Sequence, residues 1–127
     1  MTILVIEDDP DIREIVSEVL TRSGYTVINS ANGLEALNLL LTQKPHVILL
    51  DMRMPVMDGW EFSRQFRLKY DHSAQIIVMT AAHDVFQRAA DIKADGILSK
   101  PFDMMQLLTA VKQAVSQWSR RRDSNSG

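Results

Sequence analysis

Five polar side chains close apolar runs in this chain: Glu7 and Asp8 after Ile3-Leu4-Val5-Ile6, Asp51 after Val47-Ile48-Leu49-Leu50, Thr80 after Ile76-Ile77-Val78-Met79, and Lys100 just after Ile97-Leu98. Short runs that are apolar at every position suit strands buried on both faces of a parallel sheet. If the runs are parallel strands, all five side chains gather at one sheet edge. Carboxylates that close repel one another unless a cation sits among them. Magnesium takes hard oxygen ligands, keeps several waters, and needs one or two carboxylates plus a phosphate. An ammonium meets phosphate as a point charge. The constellation implies a divalent metal and something phosphate-like for the lysine.

Singly, each residue has a simpler explanation. Asp51 can be a helix cap, a metal ligand or a nucleophile. Asp9, placed before Pro10, reads as a cap. A cap does not account for Glu7 and Asp8 as well. Thr80 suits a strand as a β-branched residue, and Lys100 suits a surface. It is the grouping that turns these residues toward chemistry. His46, His72 and His83 lack metal-ligand spacing, and no glycine-rich loop follows the first strand, which argues against a dinucleotide site.

The elements that must position this group alternate along the chain. Strands are expected near 2–6, 26–30, 46–50, 75–80 and 96–99. Asp9-Pro10 opens a helix whose Ile12, Ile15, Val16, Val19 and Leu20 recur at helical spacing until Gly24 stops it. Asn32 caps a second helix carrying Ala36, Leu37, Leu40 and Leu41, and Asp58-Gly59 opens a third with Phe62 and Phe66 one turn apart. A fourth is expected over 84–93. Asp103 and Gln106 form a capping box for the last, with Leu107, Leu108, Val111, Val115 and Trp118 as its stripe. Five βα units imply right-handed crossovers and a sheet covered on both faces, whose ligand lies beyond the carboxyl ends of the strands.

A chain of 127 residues with 46% hydrophobic content and net charge −2 is one domain with no field favouring nucleic acid or anionic membrane. Cysteine is absent, which excludes disulfides and thiolate metal sites. The short apolar start runs straight into Glu7-Asp8-Asp9, unlike a signal peptide, and no stretch approaches membrane-spanning length. A cytoplasmic location is expected.

Four segments taken together resemble the receiver domain of bacterial two-component response regulators. They are Ile3-Leu4-Val5-Ile6-Glu7-Asp8-Asp9-Pro10, Asp51-Met52-Arg53-Met54-Pro55-Val56-Met57-Asp58-Gly59, Thr80-Ala81 and Lys100-Pro101-Phe102. The resemblance runs over residues 2–118. It implies a flavodoxin-like α/β fold with a doubly wound five-stranded parallel sheet, order 2-1-3-4-5, and five helices. It makes Asp51 the phosphoacceptor. Glu7, Asp8, Asp51 and the backbone carbonyl of Arg53 become ligands of Mg2+. Thr80 becomes the hydroxyl that engages the phosphoryl group, Lys100 its ion partner, and Pro101 a cis-proline.

The resemblance further implies a phosphorylation switch, fed by a histidine kinase or phosphotransfer protein and read by a downstream protein. No turnover of an external substrate is expected. Neither is direct contact with nucleic acid or membrane, and the chain is expected as a monomer or a phosphorylation-dependent homodimer. A receiver domain is expected over 1–118 and a polar, disordered tail over 119–127, with no output module in this chain. Two departures stand out. Ile97 occupies the family's usual aromatic switch position, which motivates an alternative: a phosphorylation-independent binding module. Ala82, two residues after Thr80, has no polar group to orient water, which points to a long-lived phosphoryl group. Phe86, Ile97 and Trp118 are candidate surface anchors. A hydrolase would be expected to carry a second acid shortly after its nucleophile, where Arg53 stands.

Overall fold

The apolar runs pair side by side. In the structure, a computed structural model describing residues 1–54, 56–81 and 93–126 (side chains to residue 122), β1 (Thr2–Ile6), β2 (Thr26–Ser30), β3 (Val47–Asp51), β4 (Gln75–Ala81) and β5 (Gly96–Lys100) form one parallel sheet in the order β2-β1-β3-β4-β5. Four helices lie among the described residues: α1 (Pro10–Arg22), α2 (Gly33–Leu39), α3 (Gly59–Tyr70) and α4 (Met104–Ser126). The sheet order is the one expected. The helix expected over 84–93 lies outside the described residues as far as residue 92, as do Ala82, His83 and Phe86.

The two-residue period of a strand sorts each run onto two cores. Leu4, Ile6, Ile48, Leu50, Ile76 and Val78 face one way, where Phe62 and Phe66 of α3 and Ala36 of α2 cover them. Ile3, Val5, Val47, Leu49, Ile77 and Met79 face the other, under Val16 and Leu20 of α1 and Leu107, Val111 and Ala114 of α4. β1 and β3 are buried almost completely, as continuous apolar runs require.

Helix ends follow the capping residues. The Asp9 carboxylate accepts from the backbone of Asp11 and Ile12, Asn32 from Glu35, and Asp58 from Glu61. Asp103 and Gln106 exchange hydrogen bonds at the start of α4, the reciprocal pattern of a capping box. Gly24, at φ +96°, turns the chain after α1 in a conformation that other residues rarely adopt.

Residues 119–126, expected as a frayed tail, continue α4 to Ser126. No glycine or proline interrupts the backbone there, and its polar side chains find partners: Arg120 donates to Ser116, Arg121 lies 3.8 Å from Asp95, and Arg122 covers the Trp118 ring. No helix among the described residues is long and apolar enough to cross a membrane.

Candidate functional site

Parallel strands deliver their carboxyl ends to a common rim. β3 ends on Asp51, β5 on Lys100, and β1 hands over directly to Glu7 and Asp8. Thr80 is the next-to-last residue of β4, one position beyond Met79, the lateral partner of Asp51. Glu7, Asp51 and Thr80 are buried. Carboxylate oxygens of Glu7, Asp8 and Asp51 all lie within 4.8 Å of one another. The Lys100 ammonium donates to both Glu7 oxygens, at 3.0 and 3.2 Å, and stands 3.5 Å from Asp51 Oδ1. The Lys100–Pro101 bond is cis.

The backbone fixes this rim. Glu7 N–H donates to the carbonyl of Ser30, and the Arg13 guanidinium donates to the carbonyl of Glu7 at 2.8 Å. The amide of Arg53 donates to Asp51 Oδ1 at 3.2 Å. Gly59 packs against the end of β3 so closely that a Cβ there would meet Met52 Cα at 2.9 Å and the Asp51 carbonyl at 3.0 Å. Arg13 and Gly59 were not singled out for this from the sequence. Arg13 lies six residues after Glu7 in the first turn of a helix, the one signal that places it near the rim.

Charge arithmetic shows what the rim lacks. At an effective dielectric of about 20, each pair of carboxylates up to 4.8 Å apart repels by at least about 3.5 kcal/mol. Lys100 attracts Glu7 and Asp51, at 3.0 and 3.5 Å, by about 5.5 and 4.7 kcal/mol on the same scale. Lys100 pulls on Asp8 as well, so repulsions and attractions are of similar size and the desolvation of the buried acids decides. Burial, then the hydrogen bond and charge of Asp51, raise the Glu7 pKa from 4.5 to about 8 against the pull of Lys100. Asp8 is pushed up by desolvation and by Asp51. Burial lowers the Lys100 pKa, but Glu7 and Asp51 together outweigh it and hold the ammonium above its ordinary value. The rim is short of positive charge, and its donors are hard oxygens, the set that suits Mg2+ or Ca2+.

The family model for the response regulator receiver domain matches residues 3–112. The chain belongs to this family. It is similar to sporulation initiation phosphotransferase F of Bacillus subtilis, with 35% identity over 87% of this chain and 90% of that protein. It is also similar to response regulator MprA of Mycobacterium avium, with 36% identity over 99% of this chain. The chain spans about half the length of that relative, 56%. Among solved structures, response regulator TrrA of Thermotoga maritima, in complex with Mg(2+)-BeF, is similar at 32% identity and TM-score 0.80, covering 89% of this chain and 97% of that one. Receiver domains are signalling switches that are phosphorylated on an aspartate, bind magnesium and work with histidine kinases and phosphotransfer proteins.

The structure thus brings Glu7, Asp8, Asp51 and Lys100 together, with Thr80 near the same strand ends. Ile97 stands 37% exposed on the edge strand β5. Trp118 does not share its surface. The indole packs edge-on to His46 and donates to the Ser73 carbonyl, at the opposite end of the sheet.

Proposed function

We propose that Asp51 is the phosphoacceptor of this receiver. The observation that carries the proposal is the Lys100 ammonium placed between Glu7 and Asp51 at the end of the central strand. A carboxylate oxygen of Asp51 attacks the phosphorus of a partner's phosphohistidine. A P–O bond forms as the P–N bond breaks, and the departing imidazole takes up a proton. Lys100 moves from its acidic partners to the arriving phosphoryl oxygens, and the Thr80 hydroxyl donates to another. Glu7, Asp8, Asp51 and the Arg53 carbonyl fit Mg2+, and when bound it supplies the positive charge that offsets the phosphoryl group.

The modified state carries about −1.5 to −2 further units of charge. Two or three charge-assisted hydrogen bonds at ~1.5–3 kcal/mol each match the ~5.5 kcal/mol needed to invert a 1:99 equilibrium. Thr80 and Ile97 are the coupling residues of this switch. Water later attacks phosphorus and releases phosphate, with no external substrate turned over.

The test is acetyl phosphate with Mg2+, read by intact mass. One phosphoryl group is gained by the wild type and none by Asp51→Asn. An unmodified wild type, or a modified Asp51→Asn protein, refutes the assignment and favours a binding module that works without phosphorylation.

A further inference from the structure

The opposite pole of the sheet holds a second polar cleft. β3 is five residues long, so the cleft lies on the order of 16 Å from Asp51, at the amino ends of the strands. Its volume is about 640 Å³, within the range of small-molecule sites. Three cations line it: Lys44 beyond α2, Lys69 in the last turn of α3, and Arg122 of α4. Two aromatic rings, Tyr70 and Trp118, and the imidazole of His46 form its walls. Among the residues whose side chains are described, no carboxylate belongs to the lining.

What holds these cations sets the cleft apart from an ordinary charged surface. Lys69 lies over the Tyr70 ring at 5.4 Å and Arg122 over the Trp118 ring at 5.4 Å, contacts that leave the full charge unneutralised. Of the described acids near this end, Asp95 is engaged elsewhere and Asp71 points largely into solvent. Asp95 binds Arg67 at 3.0 Å and faces Arg121 at 3.8 Å, while Asp71 lies 3.7 Å from His72.

Lys69, in the final turn of α3, also complements that helix's dipole. The carboxyl ends of α2 and α3 bring about half a negative charge each. Against these partial charges stand the three full positive charges of Lys44, Lys69 and Arg122. His46 reports the same field. Its pKa is pushed down first by burial, then by the chain's terminal ammonium and by Arg122, and its Nδ1 accepts from the backbone of Thr2, which leaves the proton on Nε2.

We propose that this cleft binds an aromatic phosphate ester of the nucleoside phosphate class: Lys69 and Arg122 swing off the Tyr70 and Trp118 rings to join Lys44 on the phosphates, and the base takes the ring faces they vacate. Lysine and arginine are the common phosphate partners, and base–aromatic stacking is indifferent to base identity. The site is independent of Asp51 and would let a nucleotide bind whether or not the chain is phosphorylated.

Calorimetric titration with AMP, ADP, ATP and pyrophosphate, without divalent cation, tests this. ADP is expected to bind with a dissociation constant below about 1 mM, and pyrophosphate at least about tenfold more weakly. Lys44→Gln/Lys69→Gln, two exposed positions, is expected to weaken ADP at least about tenfold while leaving modification by acetyl phosphate intact. Arg64→Gln, on another face, leaves ADP binding unchanged. No binding of any nucleotide, undiminished binding by the double variant, or pyrophosphate binding as tight as ADP would each overturn the proposal. Modification at Asp51 is read separately, so neither result stands in for the other.

Discussion

Cation affinity at the rim should rise steeply with pH, because Glu7 must ionise to serve as a ligand. With its pKa raised to about 8 by burial and Asp51, Glu7 is protonated in nearly every molecule at pH 6 and in half of them at pH 8. A cation that takes only the ionised form gains about fiftyfold in apparent affinity across that interval, or about 2.3 kcal/mol. Without cation the slope has the opposite sign. A folded-state pKa above the ordinary 4.5 stabilises the fold fully below pH 4.5, and this contribution fades as pH climbs through about 8. The Lys100 shift acts at higher pH and does not reverse this. The assay is thermal unfolding at pH 6 and pH 8, with Mg2+ titrated beyond its dissociation constant at both. The gain in melting temperature at pH 8 should exceed that at pH 6 by roughly 10 °C for a domain of this size. Glu7→Gln should flatten the difference. Equal gains at the two pH values, or an undiminished slope in Glu7→Gln, would refute the reasoning.

Three further substitutions probe the frame that holds the rim. Asp95→Ala removes the partner of the mostly buried Arg67 and an acceptor for Ile76 N–H at 2.8 Å, and should cost about 3–5 kcal/mol in urea unfolding. Gly59→Ala drives a Cβ into the backbone of Met52 and Asp51 and should cost about 1–3 kcal/mol. Because the displaced atoms carry Asp51, it should also slow modification by acetyl phosphate, as followed by mass. Asp9→Ala removes the cap of α1 and should lower stability by about 1 kcal/mol, with modification unaffected.

The sheet and the polar rim were legible because both rest on local signals that a buried parallel sheet imposes. A strand covered on both faces must be apolar throughout, so β1, β3 and β4 announce themselves, and the residue that ends each run is delivered to the rim by topology alone. Caps were legible for a similar reason, since Asp9, Asn32, Asp58 and Asp103 act within three residues of their own position.

What the sequence hid depends on distance along the chain. Arg67 and Asp95 are 28 positions apart, and nothing local marks them as a pair. Trp118 shows why a stripe is a weak guide to surface function: helical spacing placed it among core and anchor residues, but the length of α4 carries it past the sheet to the far pole. There it meets His46, a histidine without metal-ligand spacing. A metal-ligand pattern is the wrong test for a residue whose neighbours are rings and cations. The same parallel topology that collects acids where strands end collects helix carboxyl ends, and the cations that complement them, where strands begin. The winding sets the two poles apart, and the cations that the sequence adds at the second, Lys44, Lys69 and Arg122, are what a ligand there requires.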